Sequence, residues 1–154
     1  MTFIPYFHVG FLVDDLDLAM ESFGRAFGVT WTVPNLAPVD WWRPGEPETK
    51  LQLKVAYSRQ GPPYLELIES HESGLFAGSR GEGFHHIGAW SADCEEKQAE
   101  LIKDGLTPIG TQYTPEREII VSYFDPDKLH GVMLEIVDEG RKPIMERWWA
   151  GDPG

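Results

Sequence analysis

Two histidines and two glutamates stand at matching places in the two halves of this chain. His86 follows His8 by 78 residues, and each is succeeded by a branched aliphatic residue and a glycine. Glu66 lies in the apolar run YLELIES and Glu135 in the similar run MLEIVDE. Two neutral imidazoles and two carboxylates suit a six-coordinate divalent ion and leave two positions for substrate oxygens or water. The four residues therefore predict a metal site.

Each of the four has a simpler interpretation when taken alone. A histidine in a strand is more often hydrogen-bonded or half-exposed than a ligand, and a glutamate in an antiparallel strand usually lies on the solvated face. A carboxylate at the centre of a strand is, however, costly to bury unless it is paired or bound to metal. Their matching positions favour one shared site over four unrelated roles.

The elements that must position these residues repeat as well. Residues 6–13 alternate as a strand, and Asp14 and Asp15 are both placed to cap a helix that ends at Gly28. In the second half a similar strand is followed by Asp93 as N-cap and a helix that ends at Gly105. Further strands are expected at about 29–36, 50–57 and 63–69, and at about 106–113, 118–124 and 131–138. The unit is βαβββ, used twice, which predicts an α+β fold.

The repeat also divides the 154 residues, which we expect to form a single domain. Residues 5–70 are the first unit and 83–139 the second, joined by a connector at 71–82. The first unit is longer because of a segment at 34–48 whose prolines and glycine predict a loop. The C-terminal extension, 140–154, contains two tryptophans and is expected to pack or to form a lid.

Strand parity distinguishes the two neighbouring histidines in GFHHIGAW. His86 shares its face with Gly88 and Trp90, whereas His85 belongs to the opposite face. The same rule places Phe7 on the face that packs against the helix. We therefore expect His86 to be the ligand and His85 to be a packing residue or an outer partner of the site.

These features resemble the vicinal oxygen chelate superfamily, which includes glyoxalase I, methylmalonyl-CoA epimerase, extradiol dioxygenases and bleomycin-resistance proteins. HVGFLVDDLDLAMESFGRAFGV resembles its first strand and helix, FHHIGAW its second opening strand, and YFDPDKLHGVMLEIVD the closing segment of the epimerase branch. The pattern is closest to the epimerase and glyoxalase I branches, over about residues 5–139. The resemblance implies a cup-shaped, mostly antiparallel sheet around a metal site, with ligands at His8, Glu66, His86 and Glu135.

The implied activity is that of a metal-dependent isomerase, epimerase or lyase acting on a small substrate with two neighbouring oxygens. One divalent ion, Ni, Co, Mn, Zn or Fe, would stabilise the charge formed when an adjacent carbon loses its proton. Glu135 or Glu66 would move that proton as a catalytic carboxylate. Trp41, Trp42 and Trp90 are expected to contact the substrate, although tryptophans more often pack cores and interfaces.

Two other functions stay open at this point. An Fe(II) extradiol ring-cleaving dioxygenase needs only two histidines and one carboxylate, so a fourth ligand at Glu66 argues against it. A metal-free binding protein of the antibiotic-sequestering type keeps the fold but usually loses the ligand set. Within the epimerase branch, Asp125 stands where the pattern has a histidine before Pro126, which argues against methylmalonyl-CoA itself.

Composition narrows the range of partners. A formal net charge of −12 and a pI near 4.7 argue against nucleic acid and against an anionic membrane surface, because an acidic field repels both. The single cysteine, Cys94, cannot form an internal disulfide, and the N-terminus lacks a signal-peptide pattern. These features predict a cytoplasmic protein that binds a small-molecule substrate. Since related proteins commonly dimerise, we also expect a homodimer.

Overall fold

The computed structural model describes residues 1–36 and 38–152. Within them the strands are β1 (Tyr6–Val13), β2 (Pro38–Trp41), β3 (Thr49–Gln52), β4 (Val55–Tyr57), β5 (Tyr64–Glu69), β6 (Gly83–Ser91), β7 (Pro108–Tyr113), β8 (Ile119–Phe124) and β9 (Met133–Asp138). The helices are α1 (Leu16–Phe27), α2 (Cys94–Lys103) and α3 (Lys142–Trp149). Short 3₁₀ turns occupy Gly78–Arg80, Pro126–Leu129 and Glu139–Arg141. Ala37 of the predicted loop, and Pro153 and Gly154 of the C-terminal extension, lie outside the described residues.

Seven strands form one sheet in the order β4-β5-β1-β6-β9-β8-β7. The central strands β1 and β6 are antiparallel, and each has one parallel neighbour, β5 and β9 respectively. The outer pairs, β4 with β5, β8 with β9 and β7 with β8, are antiparallel. The predicted α+β class with a mostly antiparallel sheet is therefore confirmed.

The hairpin of β2 and β3 lies across the open side of this sheet. Asn35 forms a β-bridge to Val55 of β4, and Trp42 forms one to Thr111 of β7. Because β4 and β7 are the two outermost strands, Asn35 and Trp42 bind opposite edges of the sheet. The sheet consequently curves into a cup.

Helices α1 and α2 begin where their caps predict. The carboxylate of Asp15 accepts from the backbone N–H of Leu18 at 2.9 Å, and that of Asp93 accepts from Glu96 at 2.8 Å. Gly28 ends α1 in the left-handed conformation, with φ of 68°. Apolar side chains of both helices pack on the outer surface of the sheet, which leaves its inner surface for the polar residues. No helix in the described ranges is long and apolar enough to cross a membrane.

The first half departs from the predicted strand pattern. The segment at 29–36 was predicted as a strand. It pairs with β4 and with the residues that follow β4, but only through isolated β-bridges. The strand predicted at 50–57 is two strands, β3 and β4, because its first part pairs with β2 and its second part with β5. The predicted loop at 34–48 contains β2, where the buried indole of Trp41 turns inward. Prolines around this hairpin obscured its strand pattern.

Candidate metal centre

The four predicted ligands meet at the centre of the inner surface of the cup. They come from the adjacent strands β5, β1, β6 and β9, and all four side chains are buried. The Nε2 atoms of His8 and His86 are 2.8 Å apart. Oε2 of Glu135 lies 2.8 Å from Nε2 of His8 and 3.4 Å from Nε2 of His86. Oε2 of Glu66 lies 3.4 Å and 3.0 Å from the same two atoms.

This spacing fits donors that share one divalent ion. Two donors bound at about 2.1 Å lie about 3.0 Å apart at a right angle and about 3.4 Å apart in a tetrahedron. The separations between imidazole nitrogens and their neighbouring donors are 2.8 to 3.4 Å, which agrees with these values to within about 0.2 Å. The ligand atoms of His8, Glu66 and His86 all lie within 4.8 Å of one another. Oε2 of Glu66 and Oε2 of Glu135 are buried without an aligned hydrogen bond from any described residue. Such oxygens are costly to bury unless a positive charge binds them, so the donor set fits the ion.

Without an ion, the cluster holds protons on its imidazoles. Burial lowers the pKa of His8, but the carboxylates of Glu66 and Glu135 outweigh burial and raise it to about 10. The same balance raises the pKa of His86. Burial raises the pKa of each carboxyl group, but the two imidazoles outweigh it, so the pKa is about 2 for Glu135 and well below the usual range for Glu66. An incoming ion must therefore displace a proton.

Two glycines make room for the imidazole rings. Gly88 is paired with His8 across β1 and β6, and Gly10 is paired with His86. A Cβ at Gly88 would lie 1.9 Å from the His8 ring, and a Cβ at Gly10 would lie 2.1 Å from the His86 ring. Each ring thus lies directly over a residue that has no side chain. Gly10 and Gly88 match in the repeat, but sequence reasoning did not assign them this role.

Two tyrosines flank the glutamates and were missed by sequence reasoning. Tyr57 on β4 is paired with Glu66, and Tyr123 on β8 is paired with Glu135. The Tyr57 hydroxyl donates to Oε1 of Glu66 at 2.5 Å. Burial and the nearby carboxylates raise the pKa of both phenols well above its usual value, so both stay neutral. The triplets VAY and VSY that end at Tyr57 and Tyr123 also repeat, and this signal could have revealed them.

The parity prediction is wrong for His85 and Phe7. A β-bulge on β1 at Phe7 and another on β6 at His85 turn these residues to the inner surface of the sheet. The Phe7 ring packs edge-on against His8, with centroids 4.4 Å apart. Nδ1 of His85 lies 2.9 Å from Nδ1 of His86, and its Nε2 lies 2.9 Å from the carbonyl oxygen of Leu75. Burial lowers the pKa of His85 to about 4, so its imidazole is neutral.

Comparison with protein families shows to which superfamily the chain belongs. The model of the glyoxalase/bleomycin resistance protein/dioxygenase superfamily matches residues 7–123, which is more than half of the chain. The chain belongs to this superfamily. The match contains His8, Glu66 and His86 and ends before Glu135. No curated protein matches the sequence.

Solved structures of similar fold include methylmalonyl-CoA epimerases. A variant of the Streptomyces coelicolor epimerase in complex with 2-nitronate-propionyl-CoA has a TM-score of 0.65 at 20% identity, covering 89% of this chain and 95% of that one. The Mycobacterium tuberculosis epimerase has a TM-score of 0.63 at 18% identity, covering 91% of each chain. A hypothetical protein from Bacillus halodurans has a TM-score of 0.60 at 22% identity, covering 88% and 94%. At these identities the likeness establishes the fold.

In this member of the superfamily, a cavity of about 160 Å³ opens beside Glu66 and Glu135. Its apolar wall includes Val39, Trp41, Leu53, Ile68, Val121 and Trp148, and none of the described residues that line it is a lysine or arginine. Of the tryptophans predicted to contact substrate, Trp41 belongs to this wall. Trp42 and Trp90 do not line it. Trp42 pairs with β7 through its backbone, and Trp90 is buried in a stack with Phe7, with ring centroids 3.8 Å apart.

Helix α3 closes one side of the cup in this superfamily member. The Trp148 indole lies edge-on to Tyr57, with centroids 5.1 Å apart, and its Nε1 donates to the carbonyl oxygen of Val33 at 2.9 Å. The Arg59 guanidinium donates to the carbonyl oxygen of Ala150 at 2.6 Å. The C-terminal extension is therefore attached to the first half of the chain and forms part of the cavity wall.

Proposed function

We propose that this chain is a divalent-metal-dependent isomerase, epimerase or lyase that acts on a small substrate with two neighbouring oxygens. The observation that carries the proposal is the convergence of four donor atoms from four adjacent strands. His8, Glu66, His86 and Glu135 would hold the ion. Four protein ligands on a six-coordinate ion leave two positions, which matches a substrate that offers two oxygens.

A bound ion would stabilise the negative charge that develops on the substrate oxygens when the adjacent carbon loses its proton. The proton transfer itself falls to the carboxylates of the chain. Glu135 or Glu66 would move the proton, as a metal-binding carboxylate that can dissociate from the ion. Both border the cavity, and the hydroxyl of Tyr57 occupies Oε1 of Glu66, which leaves Oε2 facing the histidines.

The cavity supports a substrate with an uncharged, hydrophobic body. Its wall is largely apolar, with Trp41 and Trp148 as the large aromatic surfaces and Asn35 and Gln112 as neutral polar groups. A volume of about 160 Å³ is small for a ligand site, and a CoA thioester would leave most of its anionic part against an acidic protein. The carboxylate of Asp125, which replaces the histidine of the epimerase pattern, accepts from the backbone N–H of Asp127 in a 3₁₀ turn. We therefore propose a substrate other than methylmalonyl-CoA.

Metal analysis and deuterium uptake test this function. Protein purified without chelator should contain about one divalent ion per chain, and His86→Ala should lose it. With the ion present, small 2-oxo compounds and thioesters in heavy water should take up deuterium at the carbon next to the carbonyl, as followed by proton NMR. Glu135→Gln should slow this exchange by about 100-fold or more, since a positioned base contributes that much.

Glu116→Gln is the matched control, because Glu116 is exposed and lies outside the cavity lining. It should exchange at the wild-type rate. A wild-type protein without a stoichiometric ion would contradict the proposal and favour a metal-free binding protein. Oxygen consumption with Fe(II) and a catechol, without deuterium uptake, would instead indicate a ring-cleaving dioxygenase.

Removal of the Trp148 side chain should make the ion accessible to chelators. Trp148→Ala deletes one aromatic contact and one hydrogen bond, each worth about 1 kcal/mol, so opening of α3 should become at least about tenfold more frequent. The measurement is the rate at which EDTA removes Co²⁺ from the loaded protein. Ile144→Ala, an exposed position on the same helix, should leave that rate unchanged. Equal rates in wild type and Trp148→Ala would show that α3 does not shield the site.

We also propose that the protein is a cytoplasmic homodimer. The support is the family resemblance together with a sequence that has one cysteine, Cys94, whose side chain is buried. The four-residue cluster does not need a second chain to be complete, since all four side chains come from one chain.

A further inference from the structure

His85 forms a hydrogen-bonded chain that ends on the proposed ligand His86. Its Nε2 is 2.9 Å from the carbonyl oxygen of Leu75, in the connector between the two halves. Its Nδ1 is 2.9 Å from Nδ1 of His86. The ring is buried and stacks on Phe76, with centroids 5.3 Å apart and an interplanar angle of 22°. The chain therefore runs from a fixed backbone carbonyl through His85 to the ligand.

The direction of each hydrogen bond follows from the groups involved. A carbonyl oxygen only accepts, so Nε2 of His85 must carry the proton that it donates to Leu75. A neutral imidazole has one N–H, which leaves Nδ1 of His85 as an acceptor. Nδ1 of His86 must then be the donor. In neutral His86 this puts the lone pair on Nε2, the atom that faces His8, Glu66 and Glu135.

The first half of the chain has no such hydrogen-bonded chain. The residue that matches His85 in the repeat is Phe7, which occupies the equivalent bulge and offers only a ring edge to His8. Nδ1 of His8 is buried and has no hydrogen-bond partner among the residues described. The two histidines are thus similar in placement but differ in how they are held.

We infer that His85 is a positioning residue that fixes the tautomer and ring orientation of His86, making His86 the more firmly held of the two imidazole ligands. This inference rests on the proposed metal-dependent function. Outer partners of this kind orient metal-binding histidines and raise their basicity. The ring contact of Phe7 supplies no equivalent donor or acceptor for His8.

The test compares Co²⁺ affinity, followed by visible absorption, in three variants. His85→Phe copies the Phe7 arrangement and should weaken binding by about 10- to 100-fold. His85→Asn restores an acceptor near Nδ1 of His86 and should recover much of that loss. His130→Asn, at an exposed histidine in the left-handed conformation that asparagine tolerates, is the matched control and should bind like wild type.

A second measurement does not depend on any variant. Nitrogen-15 NMR of the zinc-loaded wild type should show the proton of His86 on Nδ1 and that of His85 on Nε2. A proton on Nδ1 of His85, or Co²⁺ affinity in folded His85→Phe equal to wild type, would overturn the role of His85 alone. Wild-type protein that binds neither metal would instead overturn the proposed function, so the two failures are distinct.

Discussion

Gly88→Ala is expected to abolish the divalent-ion site while leaving the sheet intact. The new methyl group would lie 1.9 Å from the His8 ring, which is too short for a contact between non-bonded atoms. The ring can turn at χ1 more easily than β1 and β6 can separate, so His8 should swing out of the cluster. Loss of one imidazole ligand should lower Co²⁺ affinity by at least about 100-fold, as measured by titration. Gly10→Ala should do the same through His86.

The matched control is Gly110→Ala, at a strand glycine on β7. The nearest atom to its new Cβ would be a methyl group of Leu75 at 3.2 Å, which can move by a few tenths of an ångström. Gly110→Ala should keep the wild-type affinity for Co²⁺. All three glycine variants should have similar circular dichroism spectra. If Gly88→Ala bound Co²⁺ as tightly as wild type, His8 could not be a ligand in the geometry described.

The affinity for a divalent ion should rise with pH by at least about tenfold per unit between about pH 6 and pH 9. The reason is that the metal-free cluster keeps His8 protonated throughout this range, because its pKa is about 10. The ion needs an unprotonated Nε2, so each binding event releases a proton. Lowering the pH favours the protonated, metal-free state, and the increase in affinity should level off as the pH passes the His8 pKa.

Calorimetric titrations in two buffers of different ionisation enthalpy measure the number of protons released. About one proton or more per ion is expected for wild type. His8→Ala should bind more weakly and with a shallower pH dependence, since it has lost the group that must be deprotonated. An affinity that stays constant from about pH 6 to pH 9 would contradict the charge balance proposed for the cluster.

The meeting of the four predicted ligands could be foreseen because it depends on features with regular periods. The repeat aligned His8 with His86, and the alternation of strands set each glutamate on the face opposite an apolar packing face. Strand β5 runs parallel beside β1, and β9 runs parallel beside β6. This arrangement brings all four side chains together. None of this depended on knowing the turns or the exact ends of the strands.

The faces on which His85 and Phe7 lie could not be predicted in the same way. A bulge adds one residue to a strand and reverses the parity on one side of it, and nothing in FHV or HHI marks that addition. His85 was therefore assigned to the wrong face, as was Phe7. The β2 and β3 hairpin was missed because it is held by pairing between distant segments and by the burial of Trp41, which override local proline and glycine signals.

The order of the strands also has a stereochemical consequence. Glu66 and Glu135 are carried by β5 and β9, which lie on opposite sides of the central pair β1 and β6. A trigonal carbon held between two such carboxylates presents one of its faces to each of them. One carboxylate could then remove a proton from the first face while the other supplies a proton to the second. Under the proposed function, a chain built from two similar halves would have the two bases needed to invert the handedness of a small molecule, whereas one half alone would have one.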